Sequence, residues 1–213
     1  MIRPLLGPVL GIAVLAVAVS GCQLLSTPEP VQMYRFGGGG EPMIVERSAA
    51  IDPVTLSLRR VEFPDASGGD RILGVTGAEA AYIAGARWVS PARQLYTETL
   101  EDAFADQSEA VRVIGRQEVV DTDMALDLDF RTFEARYDAP GAVPMVVVSA
   151  RAQLIVFPSR AVAAERTFTA SMPAGENRVS AIVAAFDSAI ADLNTELVAW
   201  TETQSALAVA AEE

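Results

Sequence analysis

The side chains in this sequence that could do chemistry are few, and they are carboxylates. Asp121, Asp123, Asp127 and Asp129 stand close together. Such spacing could serve a calcium loop or a glycosidase acid pair. An EF-hand loop counted from Asp121 requires Gly at its sixth position and Glu at its twelfth, where this chain has Leu126 and Thr132. Leu126, Leu128 and Phe130 alternate with Asp127 and Asp129, so a strand with one polar face accounts for the same residues and is the simpler reading. The sequence has no His and no Lys; all 16 basic residues are Arg. Arg stays protonated and cannot act as a general base near neutral pH. A Ser-His-Asp triad and a Ser-Lys dyad therefore cannot be assembled. Zinc sites draw on His and Cys, and Cys22 is the only cysteine. What remains open is carboxylate chemistry, such as a wall hydrolase acting through the Asp121 to Asp129 acids. No catalytic residue, metal ligand or cofactor is assigned, and a non-enzymatic role is expected. The formal charge of −12 repels nucleic acid and anionic headgroups, so no nucleic-acid partner is expected.

The residue that carries a chemical expectation is Cys22. Met1-Ile2-Arg3 gives a positive start, and Leu5 to Val19 an apolar run. That run is about 15 residues, short of the ~20 that span a bilayer. Val19-Ser20-Gly21-Cys22 follows. An ordinary secretory signal ends in small residues without a required cysteine. The Ser-Gly-Cys ending resembles the lipobox of bacterial lipoproteins, with Val19 where Leu is usual. The resemblance implies diacylation of the Cys22 sulfur, cleavage before it and acylation of the new amino group. Two or more acyl chains give stable anchoring where one does not. Residue 23 is Gln. An Asp there favours inner-membrane retention in enterobacterial-type sorting, so the expected location is the outer membrane, periplasmic face.

The ~190 residues after the signal fit a single domain large enough to bury a core. Residues 22–50 read as the lipidated Cys and a linker: Ser26-Thr27-Pro28-Glu29-Pro30 is extended, and Gly37 to Gly40 is flexible and lacks a phosphate-loop context. Tyr34 and Phe36 alternate and suggest a short first strand. Strands are predicted over 54–63, 71–75 and 81–88, with turn residues in 64–70. Ser90-Pro91 reads as N-cap and first position of a helix whose stripe is Leu95, Tyr96, Leu100, Ala103 and Phe104. Further strands are predicted over 111–114, 125–137, 145–157 and 163–172. The alternation in 125–137 slips from Phe130 to Phe133, which predicts a bulge near Arg131. Ile182, Val183, Phe186, Ile190, Leu193, Leu197 and Trp200 keep the 3.6-residue period of a last helix. The Ala-rich acidic residues 203–213 read as a tail of frayed helix or disorder. The order predicts an α+β fold: a single mostly antiparallel sheet with two helices packed on one face, over 51–202, preceded by signal peptide (1–21) and flexible tether.

Tyr82-Ile83-Ala84-Gly85-Ala86-Arg87-Trp88-Val89-Ser90-Pro91 is similar to the Y-x-x-A-R-W-x-x-P segment of the ABC-type transport auxiliary lipoproteins. This family includes the auxiliary lipoprotein of the paraquat-inducible system. Leu126 to Phe133 resembles its central strand, and the terminal helix ending in Leu197 and Trp200 fits as well. The resemblance implies a part in an MCE/ABC-type system that moves lipids or other hydrophobic molecules between inner and outer membranes. Its implied partners are an MCE-domain protein and, through it, an ABC ATPase and permease; some members form rings, implying a homo-oligomer. The alternative is a periplasmic module that itself carries lipid in a cleft between sheet and helices. Arg87 and Trp88 are the candidate partner contacts, since Arg and Trp are frequent at interface hot spots. The simpler role is structural: Trp88 sealing the core at a strand–helix corner, with Arg87 paired to an acid.

Overall fold

A computed structural model describes residues 30–38, 52–115, 118 and 120–211. The signal segment, Cys22 and much of the expected linker lie outside them. The chain runs β1 (Gln32–Tyr34), β2 (Val54–Glu62), β3 (Arg71–Thr76), β4 (Glu79–Trp88), α1 (Ala92–Gln107), β5 (Val111–Ile114), β6 (Met124–Tyr137), β7 (Met145–Val156), β8 (Ala161–Pro173) and α2 (Val179–Ala210). Every predicted strand and both predicted helices are present.

The eight strands form one mixed sheet, which corrects the expectation of a mostly antiparallel one. β6, β7 and β8 form an antiparallel meander, and β3 and β4 a hairpin. β1–β4, β2–β5, β2–β6 and β3–β6 are parallel. The reason lies in how β2 and β3 use β6. β2 pairs with its first half, from Leu56 opposite Met124 to Glu62 opposite Asp129. β3 pairs with its second half, from Gly74 opposite Ala135 to Thr76 opposite Tyr137. The two strands therefore follow β6 in one direction, and the turn residues between them form a detour instead of a hairpin. Parallel strands need a long crossover, and α1 lies within the one that separates β5 from β2.

The inner face of the sheet carries the core. β6 shifts register between Phe130 and Thr132, at the predicted place. The extra residue lets Phe130 and Phe133 both point inward, each 2% exposed. Tyr96 of α1 packs on Phe130 and Phe186 of α2 on Phe133, so both helices cover this one face. Each buried aromatic ring contributes about 2–3 kcal/mol. The seven apolar residues that mark α2 in the sequence, Ile182 to Trp200, are all buried.

Two boundaries differ from the sequence reading. α2 does not fray after Trp200: it continues to Ala210, with Thr201 and Ser205 buried. Ala favours helix intrinsically, and Glu202 accepts a 2.7 Å hydrogen bond from the Ser108 hydroxyl beyond α1. The linker reading also fails in part. β1 is paired to β4, Phe36 is buried in the core, and the Gly37 amide donates to Asp187 on α2 at 2.7 Å.

Candidate functional site

β4 turns into α1 at Arg87-Trp88-Val89-Ser90-Pro91, and this corner is pinned by backbone. The Trp88 amide donates to the Asp70 carbonyl at 2.7 Å, and the Val89 amide to Tyr34 at 2.8 Å. The helix begins at Ala92, one residue later than the sequence suggests, and no side chain caps it. Ser90 was expected in that role. Instead Ala92 and Arg93 donate to the carbonyls of Gly69 and Gly68, at 2.9 and 3.4 Å. The 64–70 detour thus satisfies donors that a helix start leaves open.

Trp88 is 2% exposed. Its ring meets Phe36, Phe186 and Phe133 edge-on at 5.0, 5.4 and 6.5 Å. It therefore holds β1, β4, β6 and α2 together. Among the described residues the indole Nε1 finds no hydrogen-bond acceptor. Arg87 lies on the other side of the strand and donates to the Asp70 carboxylate at 2.7 Å, with both side chains almost half exposed. That hydrogen bond is the main cause holding the Asp70 carboxyl below its ordinary range, against a smaller opposing effect of burial.

The four acids do not converge. Asp123 accepts from the Thr55 amide and hydroxyl, at 2.8 and 2.7 Å. Asp127 is buried on the outer face against Arg59, which bonds it through Nε at 3.0 Å and again through Nη2. Asp129 pairs with Arg131 at 2.7 Å. Asp121 is exposed beside a surface recess of about 500 Å³ shared with Asp52 and Asp123. Among the described residues, no three His, Cys, Asp or Glu side chains group as a metal site requires. Along β7 and β8 the outer face continues as polar pairs: Arg151 with Glu165 at 2.5 Å, and the Ser149 and Thr169 hydroxyls at 2.8 Å.

One buried polar contact escaped the sequence reading. The Tyr96 hydroxyl donates to Asn194 Oδ1 at 2.8 Å, between α1 and α2. Burial raises the Tyr96 pKa well above its ordinary value. The signal was there: Asn194 falls in the apolar register of α2, four residues after Ile190 and three before Leu197.

The comparisons decide the family. A family profile described as ABC-type transport auxiliary lipoprotein component matches residues 41–198. The chain belongs to this family. Its fold is also that of a Xanthomonas campestris protein of known crystal structure, at 25% identity and a TM-score of 0.70, over 84% of this chain and 99% of that one. A second solved structure, of an uncharacterized protein, matches at 17% identity and a TM-score of 0.63, over 81% and 99%. No curated protein matches significantly. In this auxiliary lipoprotein the corner lies within the matched span, while Phe36, which Trp88 packs against, precedes it.

Proposed function

We propose that this auxiliary lipoprotein is a non-enzymatic component of an MCE/ABC-type system that moves lipids or other hydrophobic molecules between the inner and outer membranes. It is held by acyl chains on Cys22 at the periplasmic face of the outer membrane. The observation that carries the reading is the family match over residues 41–198. Two others support it. The chain lacks His and Lys, and its sole cysteine stands in the lipobox-like segment. Its apolar run of about 15 residues is shorter than the ~20 that span a bilayer, which supports attachment through lipid. The partner is an MCE-domain protein, and through it an ATPase and permease. A ring of copies would use the free edge at β8 or the polar outer face. Arg87, half exposed, is the candidate contact; Trp88 acts beneath it by packing.

The carrier alternative needs a cleft between sheet and helices. Tyr96, Phe130, Phe133 and Phe186 occupy that space with at most 2% exposure. The accessory reading is therefore preferred. It is tested by palmitate labelling of the wild type and Cys22→Ser, followed by pull-down of the lipidated chain. Labelling is expected in the wild type only, with an MCE-domain protein recovered. Equal labelling of both forms, or recovery of the chain alone, overturns it.

A further inference from the structure

We infer that the free edge of β8 pairs with β8 of a second copy of this chain, joining two sheets into one across a two-fold axis; the inference uses neither the Cys22 anchor nor the transport partner. The first observation is an edge left open. Among the described residues β8 is paired on its β7 side only. It is 13 residues long, whereas the other two end strands, β1 and β5, have 3 and 4. A long edge is normally guarded by Lys, Pro, a bulge or an inward charge. The chain has no Lys. Pro173 stands at the end of β8. The bulge stands near its start, at Ala163, where the pairing with β7 slips between Leu154 and Ile155. The inward charge, Arg166, is drawn over the Phe168 ring at 4.8 Å and toward Glu196 at 3.7 Å. Between bulge and proline, residues 164–172 form a regular unguarded edge about 30 Å long.

The second observation is self-complementarity. A two-fold axis normal to the sheet keeps both inner faces on one side, so each residue must meet one that points the same way. The register that pairs all of 164–172 places Phe168 at the axis. On the inner face Ala164 then meets Met172, and Arg166 meets Ala170, small against large. On the outer face Glu165 meets Ser171 and Thr167 meets Thr169, all four exposed in the single chain. Facing Thr side chains stabilise a strand pair, and the Ser hydroxyl can donate to the carboxylate. No charge meets its like. Centring the pair on residue 165 or 166 sets Glu165 or Arg166 against its own copy. Centring it on 167 carries the bulge into the pairing, and on 169 sets Pro173 opposite Glu165. A chain of charge −12 repels its copies, but along β8 Glu165 and Arg166 are the only charges and cancel. Pairing of this kind closes at two copies.

The sequence makes the test clean, because Cys22→Ser leaves a parent chain without thiols. Full-length Cys22→Ser chains carrying Thr167→Cys and, on a different tag, Thr169→Cys are co-expressed and oxidised. Facing residues of an antiparallel pair stand about 4.5–5.5 Å apart at Cα, within disulfide reach. The mixed disulfide is expected to exceed by at least about fivefold that of Thr167→Cys with Ser188→Cys, an exposed position on α2. Sedimentation of the parent is expected to give the mass of a dimer. Ser171→Glu sets a second carboxylate opposite Glu165 and should weaken the dimer about tenfold, while Ser171→Arg should keep it. Equal disulfide yields in the two mixtures, a monomeric parent, or the same dimer strength in both Ser171 variants overturns the inference. None of these outcomes touches the transport reading, which palmitate labelling and pull-down test separately.

Discussion

At the scale of single residues, neighbours in sequence do opposite work. Trp88 has its ring against three others, so Trp88→Ala should cost about 3–5 kcal/mol. Arg87 and Asp70 form an exposed pair, and Arg87→Ala should cost at most about 1 kcal/mol. Urea unfolding of the Cys22→Ser form of both variants checks the contrast; a corner used for docking would instead show Arg87→Ala as a loss of partner recovery at unchanged stability. Tyr96 gives a pH prediction. Its folded pKa is raised by burial, so its contribution is fully present below the unfolded value near 10 and is lost as pH rises above it. Tyr96→Phe removes that dependence. The expected result is a flatter fall in stability above about pH 10 than in the parent chain. The same substitution costs stability at neutral pH, because Asn194 then keeps a buried amide with no partner at either end. Tyr96→Phe combined with Asn194→Leu should be more stable than Tyr96→Phe alone, and a double-mutant cycle measures it.

At the scale of elements, the segment after β1 shows how much a linker-like composition can conceal. Gly37 has φ +71°, and a Cβ there would stand 2.0 Å from the Thr99 hydroxyl of α1. Thr99 cannot swing away without losing its 2.8 Å bond to the Leu95 carbonyl. Gly37→Ala should therefore cost about 2 kcal/mol or more, read as a lower Tm. The alternation of Tyr34 and Phe36 suggested a short strand, but a glycine run names no partners, so the packing of Phe36 on Trp88 and Phe133 and of Gly37 against the helices was illegible. Where periodicity exists it is legible: the two helical stripes and the slip in β6 appear as expected. Strand partners were not legible, because period two says which face is buried and nothing about the neighbour. Hence the parallel pairings of β2 and β3 were missed. The end of α2 was missed for another reason. Its last turns bury Thr201 and Ser205 and half-bury Ala208, and these carry little hydrophobic signal. Of the candidate site, the corner was visible as a motif, while its cap from Gly68 and Gly69 depends on a backbone path that no side chain announces.

At the scale of the whole molecule, β6 is the strand on which the sheet depends. It holds β2 and β3 along one side and β7 along the other. The extra residue at Arg131 keeps both its halves facing the core. Arg131→Ala removes only an exposed pair with Asp129 and should be nearly neutral. Deleting Arg131 shifts every later residue of β6 by one and turns Phe133 and Ala135 outward. That deletion should cost more than about 4 kcal/mol and abolish cooperative unfolding, as calorimetry would show. The placement of β2 also has a consequence in time. Export with the N-terminus leading delivers Leu56 well before Met124, and between them come β3, β4, α1 and β5. The newly made β2 must wait, apolar side chains uncovered, while the later β6–β7–β8 meander closes locally as soon as it emerges. Holdase protection during biogenesis is thus needed most at residues 54–62.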